Sequence, residues 1–312
     1  PLMLFNCDFK LWTKALPKTA WALVLGLVSV VVAVVSGYFI FRDYVPETNK
    51  VAGMMAGIYT GGTMNFNALG ASLNVDKSVM AIVLAFQMVI TTPYVFFLLG
   101  GGYKIFRKLL PYKDVTWRGR TDEDTIATTD VENYHNMLEK KNLIGMLKGL
   151  GLSVVFLAIG AGLALLITGT LNELVVILTI TTLSIIASFF KKVRELPKTF
   201  ELGMFFILIF SVIVASMFNI HSVNGGSLYV GGFVFWIIGV SVVLHLILCR
   251  IAKVSGDLFC VSQVGLLCSP PFVPPIAGAM KNKKVLISGI VVGLVGYAVG
   301  TYLGAFLAWV LG

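Results

Sequence analysis

Two short stretches hold most of the residues in this chain that could do chemistry. The first, Gly57-Ile-Tyr-Thr-Gly-Gly-Thr-Met-Asn-Phe-Asn67, gathers Thr60, Thr63, Asn65 and Asn67 around the pair Gly61-Gly62. The second, Ser262-Gln-Val-Gly-Leu-Leu-Cys-Ser-Pro-Pro-Phe-Val-Pro-Pro275, sets Ser262, Gln263 and Ser269 next to Pro270 and Pro271. Glycine pairs weaken a helix, and each interior proline removes a backbone hydrogen bond. Both stretches are therefore expected to interrupt a helix and free backbone amides and carbonyls there. Hydroxyl, amide and carbonyl oxygens are hard ligands suited to Na⁺, with Asn65, Asn67 and Gln263 as the candidate side chains. Amides at a half-helix N-terminus suit an anion. The competing reading is packing: small and polar residues also let membrane helices approach and hydrogen-bond. Replacing Asn65 or Gln263 by alanine separates the two, since losing a ligand weakens binding and losing packing glue weakens the fold.

Other chemistries find no support. HExxH, GxSxG and GxxxxGK[ST] motifs are absent, which speaks against a metalloprotease, a serine hydrolase and an ATP-driven pump. Cys7, Cys249, Cys260 and Cys268 form no CxxC pair and read as small buried residues. His245, mid-run, reads as a packing residue, Glu173 as interfacial, and Asp257 as a carboxylate able to reach inward at the start of the second stretch. Neither break carries a carboxylate, which argues against proton antiport. The chain is expected not to be an enzyme and to hold no cofactor, with Na⁺ as the candidate coupling ion.

The elements that must position these residues follow from composition. Hydrophobic residues make up 57% of the 312 and charged residues 12%, with a mean hydropathy of +0.91. A soluble domain carries about 25% charge, so a soluble enzyme, a nucleic-acid module and a disordered chain are excluded. Unbroken apolar runs exclude an alternating outer-membrane barrel. The expected fold is an all-α polytopic membrane protein. A crossing takes about 20 apolar residues, and nine uncharged runs qualify: Ala20–Phe41, Val51–Val75, Ser78–Tyr103, Gly149–Asn172, Leu174–Phe190, Leu202–Ile220, Gly231–Cys249, Leu258–Met280 and Val285–Gly312. Residues 104–148 hold 9 basic and 7 acidic residues and read as a polar cytoplasmic linker. If all nine runs cross, one side collects 17 Lys and Arg and the other 7. The positive-inside rule then places the first side, and the C-terminus, in the cytoplasm.

Shifting the chain by 208 residues aligns Arg42 with Arg250, Gly57 with Gly265, Gly61 with Ser269, and Gly70-Ala71 with Gly278-Ala279. Two related helical repeats are expected, each with a broken central helix, within 1–103 and 149–312. Paired interruptions in matching positions of two halves point to a transporter's binding site. With nine crossings the copies are parallel; one run failing to cross makes them inverted.

The run Gly57 to Ala71, the pair Ser262-Gln263 with its proline-rich break, and the ending Gly293-Leu-Val-Gly-Tyr-Ala-Val-Gly-Thr-Tyr-Leu-Gly304 resemble the YjcL-like membrane proteins. These are a bacterial and plastid family of unknown function, similar in turn to bile-acid/sodium symporters, auxin carriers and cation antiporters. The resemblance implies inverted repeats, broken helices crossing at the membrane centre, and two or three helices preceding Pro1. It also implies a bacterial cytoplasmic (inner) membrane. Leu266-Leu267-Cys268 departs from it, standing where small and polar residues are usual. The expected function is secondary transport of a small organic anion, with Na⁺ coupling, a site between the two breaks, and lipid, solute and a second copy as partners but no nucleic acid. The alternative is a non-transporting scaffold or receptor subunit that binds partners through 104–148.

Overall fold

The computed structural model describes residues 1–5, 15, 17–113, 136–137, 139–169, 171–203, 205–206, 209 and 225–312. Among them every regular element is helical: α1 (Leu2–Phe5), α2 (Thr19–Phe41), α3 (Thr48–Ser72), α4 (Lys77–Phe97), α5 (Tyr103–Leu109), α6 (Lys140–Thr168), α7 (Glu173–Ser188), α8 (Lys191–Arg194), α9 (Gly225–Ile251), α10 (Gly256–Leu267), α11 (Val273–Ala279) and α12 (Leu286–Val310). Side chains begin several of them. Asp76 accepts from the amides of Ser78 and Val79 at the start of α4, Asn172 from Val175 at α7, and Ser255 from Leu258 at α10. Each satisfies a backbone donor that a helix start leaves without an internal partner.

Five helices are long and apolar enough to cross a membrane: Thr19–Phe41, Lys77–Leu109, Lys140–Thr168, Ser227–Ile251 and Leu286–Val310. Many of their large apolar side chains face outward, among them Leu166 at 83% exposure, Ile167 at 70% and Trp309 at 78%. An apolar outer surface of this kind matches lipid, not water. Of the other expected crossings, Leu174–Phe190 forms α7, which has 16 residues. Leu202–Ile220 lies largely outside the described residues.

The remaining two expected crossings, Val51–Val75 and Leu258–Met280, do not cross: each turns back. In α3 the backbone leaves helical geometry at Gly61 (φ −152°, ψ 21°) and Gly62 (φ 66°, ψ −162°). Beyond the break the returning half lies along the incoming one, with Gly57 against Leu69 and Asn65, and Gly70 against Met54. A straight helix would hold Gly57 and Leu69 about 18 Å apart. The two ends meet where the Asp76 amide donates to Glu47 Oε2 at 3.0 Å and Lys50 Nζ reaches the Asn74 carbonyl at 3.4 Å. In the second hairpin α10 descends, the chain breaks at Cys268 and Ser269 (φ 92°, ψ 158°), and Pro270–Phe272 and α11 return. Its ends meet where Asn282 Nδ2 donates to Asp257 Oδ2 at 2.8 Å.

The hairpins enter from opposite faces of the bundle. The second opens on the face that holds the end of α9, the start of α12 and Lys18, whose ammonium donates to the carbonyls of Ala252 and Lys253. We call this the Lys253 face. The first opens on the face where Gly312 lies against Asn49, the Asn49 face. The α4 helix bends through a π-helical turn, Leu98–Gly102, with Gly101 at φ 107°, and continues as α5 into the stretch read as linker. There Arg250 Nη1 donates to the Leu109 carbonyl at 2.5 Å and the Tyr112 hydroxyl to the Arg250 carbonyl at 3.1 Å. Most of the linker, 114–135, lies outside the described residues.

Candidate functional site

The hairpin tips meet in the bundle interior. Gly62 lies directly against the Ser269 side chain, with no room for a Cβ between them. Only glycine takes the φ of Gly62 without strain, whereas Ser269 occupies a region that other residues enter at roughly 1–3 kcal/mol. Such strain persists only where surrounding structure enforces it, and it is concentrated at functional sites. At each tip one half-helix ends, so its last carbonyls have no helical partner, and the returning half of the first hairpin begins with amides in the same position. At the second tip Pro270, Pro271, Pro274 and Pro275 carry no N–H, and the amides of Phe272 and Val273 donate to the Ser269 and Pro270 carbonyls. A point of this kind can hold a cation through carbonyls and an anionic group through amides.

The last helix holds the tips in place through a row of glycines. Gly289 and Gly293 of α12 lie against α10 and Pro270, Gly296 against the Thr60 carbonyl, Gly300 against Thr60 and Asn65, and Gly304 against Gly53 and Leu69. With no side chains in the way, backbones pack at contact distance. This is the run Gly293 to Gly304 of the sequence, now with a physical role: it seats both hairpins on one helix.

Thr60, Gly61, Gly62, Ser269 and Pro270 stand at the junction of the tips, with Thr63 half-buried beside them. Pro271 lies in the turn Pro270–Phe272. The Thr60 hydroxyl donates to the Ala56 carbonyl at 2.8 Å within its own helix. Asn65 is 1% exposed. Its Nδ2 donates to the Gly296 carbonyl at 3.3 Å, and its Oδ1 accepts from the Thr301 hydroxyl at 3.1 Å. Asn67 is buried in the returning half of α3. Gln263 points away from the tips toward His245, with Oε1 and Nδ1 at 2.6 Å, and His245 Nε2 donates to the Ala22 carbonyl at 2.9 Å. His245 thereby joins α2, α9 and the second hairpin. The expected Na⁺ trio of Asn65, Asn67 and Gln263 is not brought together by these contacts. Ser262 is fully buried, and its hydroxyl has no hydrogen-bond partner in the structure.

Sequence reasoning missed three features. One is the ion pair at the mouth of the second hairpin, where Arg107 Nε and Nη2 grip Asp257 at 2.6 and 2.8 Å and Nη2 also donates to the Met280 carbonyl at 2.7 Å. In sequence Arg107 is one of the many charges of the 104–148 stretch, and nothing marked it as the partner of Asp257. The others are the hydroxyls of Tyr59 and Tyr94, buried without hydrogen-bond partners, which no motif marks. Among the described residues no group of three His, Cys, Asp or Glu side chains could hold a metal ion.

Apolar helices around two inward-turning hairpins define an integral membrane protein of helical type. The chain belongs to the family described as Protein of unknown function (DUF819), whose model matches residues 1–312. It is 22% identical over 328 residues to the uncharacterized membrane protein YjcL of Bacillus subtilis (strain 168), covering 98% of this chain and 79% of that protein. No solved structure matches it.

Proposed function

We propose that the chain is a secondary transporter of a small organic anion, bound where the two hairpin tips meet. We also propose that its two helix–hairpin–helix units are inverted repeats. The observation that carries this reading is the meeting of two broken, inward-turning segments from opposite faces at Gly62 and Ser269. The first unit is α2, α3 and α4; the second is α9, the α10–α11 hairpin and α12. Their directions are opposed: α2 runs from the Lys253 face to the Asn49 face, and α9 runs the other way. Inverted repeats of this form let one half move against the other around a central site, exposing it alternately to each side. The freed carbonyls at the breaks, not the amides of Asn65 and Gln263, are the oxygens available to a coupling Na⁺.

The hairpins also revise the orientation. With both turning back, Lys281 and Lys284 share a face with Lys18, Lys104, Lys108, Lys113, Arg250 and Lys253, against Arg42, Lys50 and Lys77 opposite. The positive-inside rule then puts the Lys253 face in the cytoplasm and the C-terminus outside it, the reverse of the orientation that nine crossings give.

The test is uptake of small organic anions by the purified chain in proteoliposomes, with and without an imposed Na⁺ gradient. Saturable uptake that the gradient accelerates is expected. A folded protein that moves none of them supports a scaffold instead.

A further inference from the structure

We propose that the hydroxyls of Tyr59 and Tyr94 form the oxygen-binding end of the substrate site, and that the solute they receive is a small monocarboxylate with an apolar body. This rests on the transporter reading and names residues and a substrate class for it. Tyr59 lies two residues before Gly61, is 1% exposed, and its hydroxyl is buried with no hydrogen-bond partner. The Tyr94 hydroxyl, on α4 next to Pro93, is likewise buried and unpartnered. Both side chains pack in the hydrophobic cluster that includes Cys268, at the tip of the second hairpin. Three elements thus bring polar side chains into one cluster: the incoming half of α3, the last turn of α4, and the break beyond α10.

A buried hydroxyl without a partner is costly, and two unpaired phenols in one cluster amount to a standing preference for an acceptor. The apolar surroundings narrow the class. Tyr59, Tyr94, Cys268, Leu267 and Val242 belong to one hydrophobic cluster. No lysine or arginine is buried among the described residues. A phosphate or a dicarboxylate, with more charge to neutralise, draws on arginine or lysine. Two neutral O–H donors near the start of the returning half of α3 suit a single carboxylate, with the cluster covering its hydrocarbon part.

The experiment uses the full chain in detergent, as wild type, Tyr59→Phe, Tyr94→Phe and the double variant. Thermal unfolding is followed without ligand and with acetate, butyrate, benzoate, benzamide or inorganic phosphate. Removing an unsatisfied hydroxyl should leave the ligand-free midpoint unchanged or raise it. At least one monocarboxylate should raise the wild-type midpoint, while benzamide and phosphate should not. Each Tyr→Phe change should weaken that carboxylate about tenfold, and the double variant should show no shift. A lower ligand-free midpoint in either single variant means that the hydroxyl is bonded and structural, and overturns the proposal. So does a carboxylate shift that survives in the double variant, or a wild type that responds to none of the carboxylates. Uptake by the same variants separates this from the wider reading. Wild-type uptake that the double variant retains refutes the tyrosine site and leaves the carrier standing; no uptake by any variant refutes the carrier.

Discussion

Asn65 shows how a residue type legible in sequence can take either of two roles. Its amide stood next to a glycine break, as a site ligand would, yet both ends of it bond to α12. The structure therefore gives Asn65 an interhelical role, and Asn65→Ala should lower the thermal midpoint by a modest amount. Interhelical hydrogen bonds in membranes average about 0.6 kcal/mol. Uptake that falls tenfold at unchanged stability would return Asn65 to the site. Gly296 tests the packing from the other side. It lies against the Thr60 carbonyl with no space for a methyl group, and the opposing atom is backbone, which cannot swing away. Gly296→Ala should destabilise by about 1–3 kcal/mol or more, as overpacking does, and should move the first tip. A variant as stable as wild type would mean that α12 does not seat the hairpin.

At the scale of elements, the first break was readable because glycine alone lowers the barrier to positive φ, and Gly61-Gly62 is where the backbone turns. The second was read at its prolines but falls just before them, at Cys268 and Ser269. Proline forbids a helical amide, yet the residue before a proline is also pushed from helical geometry, and Ser269 precedes Pro270. The turning back was not legible. A run of 25 uncharged residues has the length of a crossing, and a break at its middle does not say whether the chain goes on or returns. Pairings distant in sequence decide that, Asp76 with Glu47 and Asn282 with Asp257. Arg107 adds a latch at the second mouth, reaching from α5 to both ends of that hairpin. Its side chain is 42% exposed while that of Asp257 is 9% exposed. Arg107→Gln leaves a buried carboxylate short of its cation, and the loss should be about 2 kcal/mol, below the 3–5 of a fully buried pair because water screens this one. If the latch also holds the hairpin closed, thiol reagents should modify Cys268 faster in this variant. An unchanged labelling rate would make Arg107 a fastener of α5 only.

For the whole molecule, the apolar class, the paired breaks and the polar residues around them were present in composition and spacing, while sidedness and the handedness of the repeat depended on which segments cross. Counting both hairpins as crossings put Lys281 and Lys284 opposite Arg250 and Lys253, and the C-terminus in the cytoplasm. A cysteine appended after Gly312 should react with an impermeant reagent added outside intact cells. Labelling only after the membrane is opened would restore the other orientation. The central claim is that solute passes between the hairpin tips, and Cys268 stands at one of them. With Cys7, Cys249 and Cys260 replaced by serine, proteoliposome uptake of small organic anions can be measured before and after Cys268 is alkylated. A bulky adduct at the tip should abolish uptake, and bound solute should slow the alkylation. Uptake that continues at its full rate once Cys268 is shown to be fully modified would contradict a path between the tips.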